Sequence, residues 1–597
     1  MKPMKIIVVV AVFLTSLGRP HAQDNPQATS GSWRPTIVAQ HGMVAAGHPL
    51  AAEAGMRILK AGGNAIDAAM ATWAVQGQVE PGMTGLGADM FILYYNAKTH
   101  EVKFINGTGF APQAATIDLY KGKGGIPDDG PLTIAVPGAV SGAAFAVQKY
   151  GTRPLADVFA PAIEIAEQGF PITESLADGL KGSRDKLAKF PSTTKIWFKD
   201  GKPLEMGDIL VNKDLARTLR AIATQGADPF YRGDIAKNTA AFMKANGGLI
   251  TEADLASVQA FEDPPIRVNY RGVDVYECPP NSQGFVMLEA LNILEGFDLK
   301  GMGHNSAPYL HAVTEALKLS FADRNKYVAD PKFTPNIPMK GLLSKEYAAA
   351  RRAKIDPNHA IVGEPAPGDP TRFTTSTAVA RDNRYATPQP SPTTVASFDP
   401  DKILNLTTYL AVVDKDHNMV SVTSSLLSGF GSGMVVEKGG FFMNDRMKYF
   451  YLDPLDVNSL QPGKRVRQTI NPALALKDGK PFLVFGTPGA DTQPQTQLQF
   501  FLNVVEFGMN VQQALEQPSV ISNSFRDSYY PHKVLGKLLT PAMLAKDVRD
   551  GLAAKGHQLD LRDVRGVGSV KGIMIHPRTG ALMGGVSPTG DSYVMAW

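Results

Sequence analysis

With one cysteine in 597 residues, Cys278, the chain has no internal disulfide framework. Cys278 sits in Tyr276-Glu277-Cys278-Pro279-Pro280 without a histidine partner in sequence and reads as a packed small hydrophobe. Charge of one sign is equally scarce: 60 basic against 56 acidic residues leave +4, too little over this length for a nucleic-acid footprint, and no basic run is present. The 11 histidines are scattered, without His-Glu-x-x-His or cysteine pairs at ligand spacing, so neither a metal nor another cofactor is expected. There is no Gly-x-Ser-x-Gly elbow, which argues against an α/β-hydrolase. Gly429-Phe430-Gly431-Ser432-Gly433 lacks the Lys-Ser/Thr that a phosphate loop needs. Internal repeats and coiled-coil heptads are absent too.

The apolar block from Ile6 to Leu14, behind Met1-Lys2-Pro3-Met4-Lys5, is too short to span a bilayer and reads as an export signal over residues 1–22, cut after Ala22. Pro20 fits the small-residue rule at that cut poorly. A single thiol in an exported chain suits a bacterial periplasm or secretion, with no membrane attachment once the signal is gone. Residues 23 to about 40 read as a tether. Hydrophobic residues make up 44% of the chain, enough for a sizeable core. Helical spacing predicts helices over 51–60, 65–78, 137–147, 285–294, 309–327 and 498–507. Period-two runs predict a hairpin at 91–95 and 102–105, and strands at 408–414, 419–424, 439–444 and 481–485. From 356 to about 403, a Pro, Thr, Ser and Asp rich run reads as a mobile linker. Strand hairpins and packed helices in both halves argue a layered α+β body.

Directly after that linker stand Thr407 and Thr408, joined to a strand and a turn, Asp414-Lys415-Asp416-His417-Asn418. A threonine hydroxyl is a weak nucleophile until a base sits beside it. Cutting the chain just before the threonine supplies one, because the freed amine has a pKa of roughly 7.7 to 8.0.

Thr407 to Asp416, Val422-Thr423-Ser424-Ser425-Leu426 and Phe430-Gly431-Ser432-Gly433 resemble the start of the small subunit of the γ-glutamyltransferase family. Gly486-Thr487-Pro488-Gly489-Ala490 resembles that family's oxyanion segment, and Gly42 to Ala51, Gly62 to Ala69 and Ala322-Asp323-Arg324 are similar to its large-subunit signatures. The resemblance implies a four-layer αββα sandwich of the N-terminal nucleophile hydrolase type. A large subunit, 23–406, and a small one, 407–597, would build it jointly after self-cleavage. It implies Thr407 as nucleophile, Ser425 where the family has a threonine bonded to it, and the backbone N–H groups of Gly489 and Ala490 as oxyanion donors. Alanine at 490 adds a Cβ that restricts the backbone if φ is positive.

The substrate-binding set departs from the family. Asn106-Gly107-Thr108-Gly109-Phe110-Ala111-Pro112 has no arginine before Ala-Pro, so Thr108 is the polar candidate there. Arg446 and Tyr449 replace the usual Gln or Glu and Asp, Leu427 replaces an asparagine, and Gln468-Thr469 replaces a serine pair. Arg446 and Lys448 are expected either to receive a carboxylate of a different acyl group or to be solvated surface charges. The segment 449–464 looks like a short lid over an open pocket. The expected activity is amide hydrolysis or acyl transfer to water or an amino-acid or peptide acceptor, with γ-glutamyl or glutathione-type substrates as the family default. An acylase for another acyl group (cephalosporin-acylase-like or oxamate-like) and a non-catalytic binding protein are the alternatives.

Overall fold

The computed structural model describes residues 32–373, 406–563 and 568–597. The proposed export signal, most of the proposed linker and the residue before Leu406 lie outside the described residues.

Strands Ile37–Ala39 (β1), Met43–Ala46 (β2), Asp89–Asn96 (β3), Glu101–Gly107 (β4), Phe261–Asp263 (β5), Ile266–Tyr270 (β6) and Val273–Glu277 (β7) precede Thr407. Thr408–Val413 (β8), Met419–Ser425 (β9), Ala473–Lys477 (β10), Lys480–Gly486 (β11), Lys571–Ile575 (β12), Leu582–Val586 (β13) and Tyr593–Ala596 (β14) follow it. They form two seven-stranded sheets, ordered β14-β2-β8-β9-β3-β4-β5 and β1-β13-β12-β11-β10-β7-β6. Every pairing within them is antiparallel. Both sheets therefore draw strands from both sides of Thr407.

Alternation along β8 sorts its side chains between two cores. Tyr409, Ala411 and Val413 pack between the sheets with Phe91, Leu93, Leu474 and Val484. Leu410 and Val412 face the outer helices Pro49–Lys60 (α1) and Ala65–Val79 (α2). On the far side of the second sheet lie helices Phe285–Leu294 (α3), Ala307–Tyr327 (α4) and Gln493–Val505 (α5). Three stacked cores define four layers, α-β-β-α. A capping box starts α2, in which the Asn64 side chain accepts from Ile66 N and Asp67 N while Asp67 returns a bond to Asn64 N.

Most predicted elements stand within a few residues of their places, and α3 matches its predicted bounds. Two expectations need correction. Residues 439–444 form no strand: Phe442 and Met443 make isolated bridges to Val435 and Gly87. A turn with φ +75° at Gly440 interrupts the run. The supposed linker is pinned over its first part, 356–373. Ile361 N donates to Glu315 (2.9 Å), Gly368 N donates to Asp323 (2.7 Å), and Tyr327 Oη donates to Gly368 O (2.7 Å). Low periodicity there marks a segment held by backbone bonds to buried side chains of α4. Cys278 is fully buried, as expected of a packed thiol.

Candidate active site

Register assembles the site. Thr408 pairs with Ser424, Ser425 with Asp89, and Met90 with Gly107. One step along each strand, Thr407, Ser425, Asp89 and Thr108 form a row across β8, β9 and β3 to the residue after β4, on the face turned to the second sheet. The Thr407 hydroxyl donates to Ser425 Oγ at 3.0 Å. Ser425 Oγ donates in turn to the carbonyl oxygen of Leu406, 2.9 Å away, and accepts from Leu427 N at 2.9 Å. A chain of hydrogen bonds thus links the Thr407 hydroxyl to the carbonyl just upstream. Leu427 holds φ at +97°, a region that suits the asparagine it replaces better than leucine.

Asp89, not singled out from sequence, organises the next step of the row. It is buried and accepts from Gly109 N (2.9 Å), Gly138 N (3.2 Å) and Gln468 Nε2 (2.7 Å), with Arg446 Nε 3.9 Å away. Burial pushes its carboxyl up, against the pull of Arg446 and these donors. Arg446 is fully buried, so the surface-charge alternative does not hold for it. Its Nη2 donates to Ser425 O (2.9 Å), while Nε and Nη1 have no hydrogen-bond partner. Lys448 does not join it: Nζ turns to Asp128 O, Ser428 Oγ and Asp445, because residues 446–449 form a single 3-10 turn that splays the two side chains.

Tyr449 Oη and Thr469 Oγ1 share a hydrogen bond of 2.9 Å. Thr108 lies at the end of the row, but its hydroxyl is spent on Asn106 Oδ1 (2.6 Å). Where the Asn106 to Pro112 segment lacks an arginine, Arg465 arrives from elsewhere. Its Nε donates to Thr108 O (3.3 Å), and its guanidinium lies 6.0 Å from the Phe110 ring. The segment 449–464 is a compact loop rather than an open flap: Tyr451 bridges Ser459, and Lys464 Nζ donates to Val457 O and Ser459 O.

The glycine segment follows β11. Gly489 takes φ +124° and Ala490 φ +52°, so the alanine is held in the left-handed region. Gly489 O accepts from Thr492 N and Oγ1, and Ala490 O from Gln283 Nε2 (3.1 Å). Arg324 Nη1, from the Ala322-Asp323-Arg324 signature, donates to Gln283 Oε1 (2.6 Å) and to Asp491. The carbonyls are thus tied back, while the Gly489 and Ala490 N–H groups have no partner among the described residues. Glycine at 490 relieves a cost of about 1–2 kcal/mol for a left-handed L-residue, offset by about 0.5–1 kcal/mol of extra unfolded-chain entropy. Ala490→Gly is therefore expected to raise unfolding free energy by about 0.5 to 1 kcal/mol in denaturant titrations.

Thr408 points the other way, to the helix layer. Its Oγ1 lies 3.1 and 3.2 Å from the two oxygens of Glu80 and accepts from Gln76 Nε2 (2.9 Å). Glu80 caps the C-terminus of α2, where the helix dipole disfavours an acid, a sequence signal that could have flagged it. A Cβ at Gly47 would fall 2.0 Å from Glu80 Oε1, which accounts for glycine in the Gly-His-Pro signature. His48 next to it caps α1, accepting from Leu50 N.

Burial pushes the Glu80 carboxyl from 4.5 to about 7, with Lys571 pulling it back, and lowers the Lys571 ammonium to about 8. The folded chain holds the Glu80 proton where the unfolded chain has released it, so this group's contribution to stability falls as pH rises from 4.5 to about 7. Glu80→Gln should raise unfolding free energy at pH 8, by at most about 3 kcal/mol, and leave it unchanged at pH 4.

Two histidines scattered in sequence also meet, His311 Nδ1 and His557 Nε2 at 2.9 Å beside Glu315. Lys318 pairs with that carboxylate at 2.7 Å, and its positive charge opposes a cation there.

The protein-family model described as Gamma-glutamyltranspeptidase matches residues 51–597. A glutathione hydrolase proenzyme of Bacillus subtilis (strain 168) is 33% identical, over 97% of this chain and 98% of its own. An acylase ACY 1 proenzyme of Pseudomonas sp. (strain SE83) is 34% identical, over 90% of each. Among solved structures, cephalosporin acylase from Bacillus halodurans superposes with a TM-score of 0.83 at 35% identity, covering 95% of this chain and 97% of that one. Two sheets shared between the halves, a hydroxyl pair at their junction and a match running from α1 to the last residue together show that the chain belongs to the γ-glutamyltransferase family.

Proposed function

We propose that this chain is a self-processing amide hydrolase and acyltransferase with Thr407 as its nucleophile. The observation that carries the reading is the relay from Thr407 Oγ1 through Ser425 Oγ to Leu406 O, at 3.0 and 2.9 Å. In maturation, Thr407 Oγ1 bonds to the Leu406 carbonyl carbon. Its proton passes to Ser425 Oγ, and the Ser425 proton goes to the carbonyl oxygen. Collapse breaks the 406–407 C–N bond, the amine takes up the proton, and water hydrolyses the ester. Residues 23–406 and 407–597 are then separate subunits of one body. The free amine acts as base for the same hydroxyl in turnover, and the Gly489 and Ala490 N–H groups receive the oxyanion. Residues 1–22 remain, in this reading, an export signal.

The default acyl group is γ-glutamyl, since relatives are named glutathione hydrolase proenzymes. The site favours the second reading, an acylase for an acyl group with a distal carboxylate and no α-ammonium. Arg446 Nη1 is a buried donor without a hydrogen-bond partner, its Nε has only Asp89 at 3.9 Å, and Tyr449 stands where an acid would meet an ammonium, its hydroxyl bonded to Thr469. Gln468 Oε1, buried beside Asp89, also has no hydrogen-bond partner. Amides of one chromogenic amine with γ-glutamyl, glutaryl and oxamate-type acyl groups separate the readings. Faster release from the glutaryl or oxamate-type amide is expected; clear preference for γ-glutamyl contradicts the altered pocket.

A further inference from the structure

Ala490 sits at φ +52°, a region that disfavours alanine by about tenfold, so surrounding contacts must hold it there. That angle sets where the Ala490 N–H points relative to the Ala490 carbonyl. The carbonyl oxygen has two partners: Gln493 N, from the same turn, and Gln283 Nε2 at 3.1 Å. Gln283 comes from the other half of the chain, in the loop Pro279-Pro280-Asn281-Ser282-Gln283-Gly284 ahead of α3, and is fully buried.

The orientation of the Gln283 carboxamide follows from its neighbours. Arginine can only donate, so the amide oxygen faces Arg324 Nη1 (2.6 Å). The amide nitrogen then faces two carbonyls, Ala490 O and Thr469 O (2.9 Å), and both of its N–H groups are used. Turning the amide over would set oxygen against two carbonyl oxygens and nitrogen against a guanidinium. The loop backbone is fixed as well: Asn281 Nδ2 donates to Val466 O (2.9 Å), Gln283 N to Gln468 O (3.1 Å) and Ser282 Oγ to Ile470 O (2.8 Å). On the other side of Ala490, Asp491 accepts from Arg324 Nη1 and from Ser528 N and Oγ, both at 2.7 Å. Gln283 and Arg324, both from before the scissile bond, therefore bracket the turn that follows β11.

We infer that Gln283 is a positioning residue for turnover: clamped by Arg324, its carboxamide holds Ala490 in the left-handed conformation that aims the Ala490 N–H at the oxyanion formed from the substrate. The inference rests on the reading of Thr407 as nucleophile and of Gly489 and Ala490 as oxyanion donors. Self-cleavage does not draw on this turn, because there the Leu406 carbonyl oxygen is met by Ser425 Oγ, 2.9 Å away. Loss of the clamp therefore slows turnover and spares maturation.

The test follows self-cleavage of freshly synthesised chain by denaturing electrophoresis, and measures kcat and KM per processed chain on the amide that the panel above finds fastest. Gln283→Met removes both N–H groups at similar volume. It should lower kcat about tenfold while KM and the rate of self-cleavage each change less than about threefold. Glycine adopts positive φ about as readily as negative φ, so an Ala490→Gly chain gives the clamp less to hold. Adding Gln283→Met to that chain should cost less than about threefold in kcat. An unchanged kcat in Gln283→Met, an equal slowing of self-cleavage and turnover, or the same loss in both backgrounds would overturn the proposal. If Gln283→Met fails to fold, Gln283→Glu at pH 8 takes its place with the same expectations, since it keeps an oxygen for Arg324 and offers the two carbonyls no donor. A wild type that neither cleaves itself nor turns over amides contradicts the nucleophile reading instead, whereas a processed, active enzyme indifferent to Gln283 contradicts only the positioning role.

Discussion

A Thr407→Ala chain is expected to run as one full-length polypeptide on denaturing electrophoresis, while the wild type runs as two pieces. Its amide turnover should fall by about 10⁴- to 10⁶-fold, the scale on which removing a nucleophile from an intact site acts. Both losses follow from one atom, since in the proposed mechanism Thr407 Oγ1 attacks first the Leu406 carbonyl and later the substrate. The fold should survive: Thr407 is 2% exposed, and its hydroxyl makes one hydrogen bond among the described residues, to Ser425. An alanine variant that still splits before residue 407, or that retains turnover within about tenfold of wild type, would remove the nucleophile from this position.

The second large effect is on stability, at Asp89. Its carboxylate answers two backbone N–H groups, the Gln468 amide and the Arg446 guanidinium, all buried. Asp89→Ala leaves the Arg446 charge without its counter-ion in a dry interior, and removing one partner of a buried pair costs about 3–5 kcal/mol. In wild type Asp89, 3.9 Å from its Nε, and Ser425 O, which takes its Nη2, offset part of the cost of burying the Arg446 charge. Denaturant unfolding of the processed protein measures this directly. A loss under about 1 kcal/mol would show that the pair is no support of the site. Replacing both Asp89 and Arg446 by neutral residues should destabilise less than the sum of the two single changes, since the orphaned charge then disappears.

The helices were legible because their signals are local. The apolar stripe from Phe285 to Leu294 has helical period, and Asn64 with Asp67 spells a capping box. The Thr407 hairpin could be read for the same reason, strand formers on either side of an Asp and Asn rich turn. Residues 439–444 misled: they carry strand formers, but Gly439 and Gly440 turn the chain and leave only isolated bridges. Asp89 was invisible because its role depends on register with Ser425, a residue more than three hundred positions away, and on loops that bring Gly138 and Gln468 to it. Arg465 escaped notice likewise, because it reaches Thr108 and Phe110 from more than three hundred positions away. Arg446 was found from a motif position, but its burial, and the divergence of Lys448 from it, are matters of packing.

In the proposed mechanism, the hydroxyl at 407 gains its base only if the peptide bond before it is broken. Intact mass of the purified protein, with N-terminal sequencing of the smaller piece, tests that most directly. Two polypeptides are expected, the smaller beginning Thr407-Thr408-Tyr409. An unbroken chain that turns over amides, or a small piece starting at another residue, would contradict it.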